Sequence, residues 1–437
     1  MGTSKISLPE SIAMAVGGMV GGGIFAVLGV VAARAGRTTW LAFVVSGVIA
    51  FCAGYSALRL NAQAEGQLNP IAYVEAFTGR TTLAGMIGWT FIIGYVGTMS
   101  LYAFAFGSYF VELVGIHTVF GIPLRPLISL LAVGTFVGLN IAGAHASGRT
   151  EDVLVGLKVL ILLGFGVGGL YYGFRHGAIH SGLSNFHGET LLAAAIGFVA
   201  FEGWELLLFD QESIENPKKT IRTAIYASIV SVTAIYVLVA VVTTNLVDAG
   251  TIQQQSETTL AVAAEPVFGA IGFLLISIAA LFSTASALNA TLFSSSRLSR
   301  MLVADDLLPT RFQGGTDEPV RPLLILGALT ALFSVFGSLN AISSFASLSF
   351  VTIFGGFSLL AFRERTSPLT AVLPAVGCLG AIATIVGLLY YLYTSEPTVF
   401  VTVIALSVVV VGIELLYFER KPIVTDVEGV ERQIKSW

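Results

Sequence analysis

Long apolar runs alternate with short polar segments along almost the whole chain, and each run is about as long as a bilayer is thick. A membrane-spanning helix needs about 20 predominantly apolar residues. Twelve stretches reach that length, at roughly 8–33, 39–63, 83–114, 122–143, 151–174, 190–212, 221–246, 267–299, 321–338, 341–362, 369–393 and 398–418. Backbone amides in lipid must be satisfied internally, which makes these stretches helices. The short alternating segments of a β-barrel are not seen. The pattern predicts an all-α membrane protein of twelve transmembrane helices, spans 1 to 12. The first stretch is long and lacks a small-residue cleavage pattern after a basic start, so it reads as span 1 rather than a secretory leader. No low-complexity linker divides the chain, and 1–437 reads as a single transmembrane domain with a polar tail at 419–437. The longest loops on one side are 175–189 and 247–265; the second contains "TIQQQSETTLAVAAE", a candidate surface helix.

Composition sharpens this picture. Of the 437 residues, 55% are hydrophobic and 11% charged, with a mean hydropathy of +0.87; soluble chains carry about 25% charged residues. A net charge of −4 gives no reason to expect nucleic acid or another polyanion as partner. Cys52 and Cys378 lie in apolar runs and read as small core residues, not a disulfide. The basic residues sort strongly by side. Seventeen of the 22, among them Lys5, Arg59, Arg80, Lys218, Lys219, Arg297, Arg311, Arg363 and Lys421, share one side, and only Arg34, Arg37, Arg125 and Arg175 lie on the other. The positive-inside rule then puts both termini in the cytoplasm.

Two spans carry residues that a simple apolar helix does not need. Span 1 contains "AVGGMVGGGIFAVLG", with glycines at 17, 18, 21, 22, 23 and 29. Glycine costs about 1 kcal/mol relative to alanine in a helix interior. One reading is close helix packing, since Gly17 and Gly21 form a GxxxG pair. The other is an unwound segment, whose freed N–H groups suit a carboxylate and whose freed carbonyls suit an ammonium. Span 6 contains "FVAFEGWELLLFD", with Glu202, Gly203 and Glu205 deep in an apolar run. A carboxylate at the bilayer centre costs about 3 kcal/mol even on lenient scales, so a break or an aqueous cavity is implied. Spans 1 and 6 also open two possible five-helix halves. Interrupted helices at matching places in two halves are the sequence signature of a binding site in an inverted-repeat transporter.

With these residues in view, the chain resembles the amino acid–polyamine–organocation (APC) transporter family. "GGMVGGGIF" (17–25), "FEGWE" (201–205) and "IENPKKTIRTAI" (214–225) match three family stretches in order. The resemblance implies a LeuT-type fold: a 5+5 inverted repeat, at 8–174 and 190–362, followed by two helices at 369–418, with spans 1 and 6 unwound. It implies that a substrate carboxylate meets the N–H groups of Gly22 and Gly23, with Gly21 giving room. The α-ammonium would meet carbonyls at Met19, Val199 and Glu202, around Gly203. Trp204 matches a position that often closes the pocket toward the outside, or is an ordinary buried aromatic. Glu205 is the usual acid of the motif. Glu202 departs from the family, where an apolar residue is commoner; it either faces a cationic substrate side chain or serves only through its backbone.

Lys158 is the one basic residue left well inside a span, about 10 Å along the helix from Glu151 at 1.5 Å per residue. It either snorkels to the interface or is a buried amine able to gain and lose a proton. In proton-coupled relatives a lysine here takes the place of a sodium ion between spans 1, 5 and 8; its partners would be the Gly17 carbonyl and the Ser283 hydroxyl. His145, His176, His180 and His187 lie in or beside loops without metal-site spacing, and no metal or cofactor is expected. No Walker sequence and no nucleophile–base set appear, which argues against an ATP-driven pump or an enzyme. The leading expectation is a proton-coupled, sodium-independent amino acid transporter of broad specificity in the cell membrane. The alternatives are an exchanger of cationic amino acids or polyamines and a non-transporting amino acid sensor. The expected partners are an amino acid, protons and the lipid bilayer.

Overall fold

The computed structural model describes residues 5–64, 69–143, 148–305, 307–308 and 320–418. His145, Arg311 and the tail 419–437 lie outside the described residues. All twelve predicted stretches fall on helices. Span 1 is α1 (Leu8–Ala35) and span 2 is α2 (Thr39–Gln63), joined by a single 3-10 turn. A short helix that apolar length does not predict, α3 (Pro70–Thr78), precedes α4 (Thr81–Val114), α5 (Leu124–Ile141) and α6 (Gly148–Arg175), which are spans 3, 4 and 5. Span 6 is broken into α7 (Gly188–Gly197), a 3-10 turn at Phe198–Phe201 and a four-residue α8 (Leu206–Phe209). Span 7 is α9 (Pro217–Leu246). The loop read as a possible surface helix holds α10 (Ala249–Gln254) and the start of α11 (Thr259–Ala304), which is span 8. The last four spans are α12 (Val320–Phe336), α13 (Leu339–Arg363), α14 (Pro368–Ser395) and α15 (Pro397–Phe418). Nine helical stretches among the described residues are long and apolar enough to cross a membrane; the first, Leu8–Gln63, holds both α1 and α2, and two shorter apolar helices, Val320–Phe336 and Pro397–Val409, accompany them.

Helix starts follow local chemistry. Glu10 reaches back to the Ser7 N–H at 2.7 Å, closing a capping box on α1. Asn69 accepts from the N–H groups of Ile71 and Ala72 ahead of Pro70. Asp248 caps α10; the Thr251 hydroxyl and N–H, at 2.6 and 3.0 Å, hold its carboxyl below the usual range. On the opposite face, partial burial and the nearby Glu75 push the Asp305 carboxyl up. Pro266 and a positive φ at Gly269 kink α11, so span 8 begins eight residues before its expected start at 267, as a segment set at an angle to the rest. On the face that carries α3, the chain ahead of α1 pairs with the segment after α8: the Ile6 N–H donates to Ser213 and the Glu215 N–H to Ile6.

One expectation is corrected. α1 runs unbroken from Leu8 to Ala35, so span 1 is not unwound at its glycines. None of Gly17, Gly18, Gly21, Gly22 or Gly23 has a positive φ. Each instead lets another helix or loop approach. Added Cβ atoms would lie 2.7 Å from Val155 at Gly17 and 2.7 Å from Ala287 at Gly21. In this conformation the cluster does the packing job that small-residue stripes do in membranes. Cys52 and Cys378 are free cysteines, as read from the sequence.

Candidate functional site

The two unusual spans cross each other at their glycines. Gly203 has φ +122°, a conformation open to glycine and little else. It follows Glu202, whose backbone is extended, and so ends the 3-10 turn and breaks the span. A Cβ on Gly203 would lie 2.7 Å from the Gly18 carbonyl carbon, and a Cβ on Gly18 would lie 2.9 Å from the Gly203 Cα. Two backbones thus touch directly, which requires glycine on both. Gly23 meets the same broken segment, its Cβ position 2.9 Å from the Ala200 Cα.

A broken span exposes polar backbone groups that lipid cannot satisfy, at a cost of several kcal/mol each. Here side chains from three surrounding helices, and Glu205 of the span itself, satisfy them. Ser347 on α13 accepts from the Val199 N–H at 2.9 Å and donates to the Ile196 carbonyl at 2.7 Å, bridging the junction of α7 and the 3-10 turn. Ser46 on α2 donates to Ala194. The Tyr236 hydroxyl on α9 lies 3.0 Å from the Ala200 carbonyl and 2.7 Å from the Met19 carbonyl, so one proton ties the broken span to α1. The Glu205 carboxylate accepts the Gly203 N–H at 2.8 Å, and Tyr95 on α4 donates to its other oxygen at 3.3 Å. Glu205 therefore has a structural task at the break besides any in transport.

Both acids are buried, Glu202 at 3% and Glu205 at 0% exposure. The Tyr102 hydroxyl donates to Glu202 at 3.3 Å. The Tyr102 ring also covers Gly22, where no Cβ would fit. Of the carbonyls expected to meet an ammonium, Met19 accepts from Tyr236 and Val199 from the Glu202 N–H at 3.1 Å. Trp204 is fully buried on Phe354, 4.8 Å between ring centroids, and its indole N–H has no hydrogen-bond partner. It lies past the break, on the α8 side of the broken span, which leads to the face carrying α3.

The expected coupling residues fall on three adjoining helices. Lys158 is 3% exposed, buried within the protein rather than extended to a surface. It lies one turn beyond Val155, the residue that fills the space at Gly17. The Ser283 hydroxyl on α11 donates to the Val20 carbonyl of α1 at 3.1 Å, one turn from Gly17.

Between α4, α8 and α11 a crevice of about 170 Å³ runs from Tyr95 to the pair Asp210 and Arg297. That pair is 3.6 Å apart and partly exposed. Exposed pairs are worth about 0–1 kcal/mol. Arg297→Gln is thus expected to leave the thermal midpoint within a few degrees of wild type. Thermal unfolding in detergent checks this; a fall of more than about ten degrees would mean that the pair carries more than an exposed ion pair does.

Sequence reasoning missed Tyr95, Tyr102, Tyr236 and Ser347. Buried hydroxyls in lipid need partners, and that alone marks them as candidates to satisfy a break.

The profile of the amino acid permease family matches residues 6–424, nearly the whole chain. The chain belongs to that family, within the APC transporters. Its relatives include an uncharacterised protein of Methanocaldococcus jannaschii, 35% identical over 80% of each chain. Another is the serine/threonine exchanger SteT of Bacillus subtilis, 27% identical over 70% of this chain and 69% of that one. Among solved structures, a manganese transporter of Eremococcus coleocola shares the fold, with a TM-score of 0.62 and 13% identity over 96% of this chain and 94% of that one. This amino acid permease is a multi-pass membrane transporter and not an enzyme.

Proposed function

We propose that this permease is a proton-coupled, sodium-independent secondary transporter of amino acids with broad specificity. Twelve spans in a 5+5 inverted repeat plus two cross the cell membrane, with both termini cytoplasmic. The observation that carries the reading is the crossing of α1 with the broken span at Gly18 and Gly203, beside buried Glu202 and Glu205, with Lys158 buried on the adjoining α6. The substrate carboxylate is assigned to the N–H groups of Gly22 and Gly23, with Gly21 giving room. These donors belong to a continuous helix here, so this reading requires α1 to open in another state of the cycle. The ammonium is assigned to the carbonyls of Met19, Val199 and Glu202, with Gly203, Trp204 and Glu205 shaping the inner wall. Lys158, with Gly17 and Ser283, is the proton-coupling group.

Glu202 gives the reading its direct test. A carboxylate facing the substrate side chain favours cations. Glu202→Gln is expected to weaken arginine uptake by roughly tenfold relative to leucine, the order of one charge pair. Equal effects on the two substrates leave the side chain a structural role only.

A second reading is obligatory exchange, favoured by the similarity to a serine/threonine exchanger. Uptake with and without internal amino acid separates the two. Uptake into vesicles holding no internal amino acid supports symport, and uptake that requires internal amino acid supports exchange.

A further inference from the structure

Tyr102 stands on α4 with its ring over Gly22 and its hydroxyl on Glu202. The contact is tight: a Cβ built on Gly22 would overlap the edge of the Tyr102 ring, closest to Cδ1 and Cε1. Tyr102 is 2% exposed, and its hydroxyl donates to Glu202 Oε2 at 3.3 Å, a long hydrogen bond. One side chain therefore fills the space against α1 and covers the acid of the broken span together. While the ring holds this position, the space beside Gly22 on the side of α4 is filled.

We infer that Tyr102 is a movable plug of the substrate pocket and the residue that sets which side-chain sizes the pocket admits. This rests on the assignment of the substrate carboxylate to Gly22 and Gly23. When α1 opens and the ring swings off Gly22, the hydroxyl leaves Glu202, so the same motion adds room for the substrate and uncovers the carboxylate toward it. The volume the ring vacates, and where it goes, then limit the substrate side chain. Neighbouring tyrosines do not share this position. Tyr95 bonds Glu205, and Tyr236 bonds the Met19 and Ala200 carbonyls, so neither lies over Gly22.

The test is equilibrium binding of alanine, leucine, phenylalanine and arginine to the purified full-length protein by calorimetry. It compares wild type, Tyr102→Phe, Tyr102→Ala and, as a control on the anchor, Gly23→Leu. Tyr102→Phe keeps the ring and removes the bond that must break, and is expected to tighten binding of alanine and leucine about three- to tenfold. Tyr102→Ala removes the ring and is expected to shift preference toward phenylalanine over alanine by at least about tenfold. Should Tyr102→Ala not fold, Tyr102→Leu takes its place, with the same direction expected. Wild-type affinity in Tyr102→Phe together with a wild-type order of preference in the ring-removing variant overturns the plug. Gly23→Leu separates the two layers. If it abolishes binding while the Tyr102 variants behave as wild type, the plug alone fails. If it binds as wild type does, the anchor at Gly22 and Gly23 fails, and the assignment with it.

Discussion

Gly203→Ala is expected to abolish transport and to lower stability severely. Two effects add at this position. The backbone at φ +122° is strained for any residue with a Cβ, at about 1–3 kcal/mol. The new methyl would also lie 2.7 Å from the Gly18 backbone, which cannot rotate away as a flexible side chain can. Overpacking of this kind costs about 1–3 kcal/mol. Gly18→Ala meets only the second effect, since Gly18 sits in regular helix, its Cβ 2.9 Å from the Gly203 Cα. The two variants therefore separate strain from crowding. Thermal unfolding in detergent, read beside leucine uptake, should rank wild type above Gly18→Ala and Gly18→Ala above Gly203→Ala. Equal midpoints for all three would mean that the two backbones do not depend on this contact.

Lys158→Ala is expected to reduce gradient-driven accumulation to background while leaving substrate binding within about threefold of wild type. Coupling requires a group that changes charge between states and contacts elements that move against each other. Lys158 lies one turn from the contact of α6 with Gly17, close to where Ser283 of α11 bonds Val20 of α1. On the proposed reading, the protonated amine ties α6 to α1 and α11, and the neutral amine leaves α1 freer to rock. Alanine removes the titrating group but no part of the assigned substrate anchor, so binding and coupling come apart. A variant that still accumulates substrate up a gradient removes Lys158 from the coupling.

Much of the architecture was legible because lipid enforces it. Apolar length alone located the twelve helical stretches, and the largest shift of an end, in α11, comes where Pro266 and Gly269 kink the helix. The break in span 6 was legible because two carboxylates around a glycine have no place in a plain apolar helix. The state of span 1 was not. Clustered glycines allow both unwinding and close approach, and the partner decides: Gly18 meets Gly203, almost two hundred residues away, and Gly22 meets Tyr102. The hydroxyls that satisfy the break were also hidden. Tyr95, Tyr102 and Tyr236 sit in apolar runs where a tyrosine has no periodic signature, and their partners lie on other helices. α3 escaped notice because nine residues are too short to register against the length a membrane demands.

The central claim is that protons drive amino acid uptake. It is tested most directly by loading proteoliposomes of the wild-type protein at neutral pH, diluting them into acidic, sodium-free buffer and following radiolabelled leucine. The account predicts transient accumulation above the external concentration, collapsing when a protonophore is added and absent when the pH is equal on both sides. Accumulation that appears only with sodium, or that ignores the pH gradient, would contradict it.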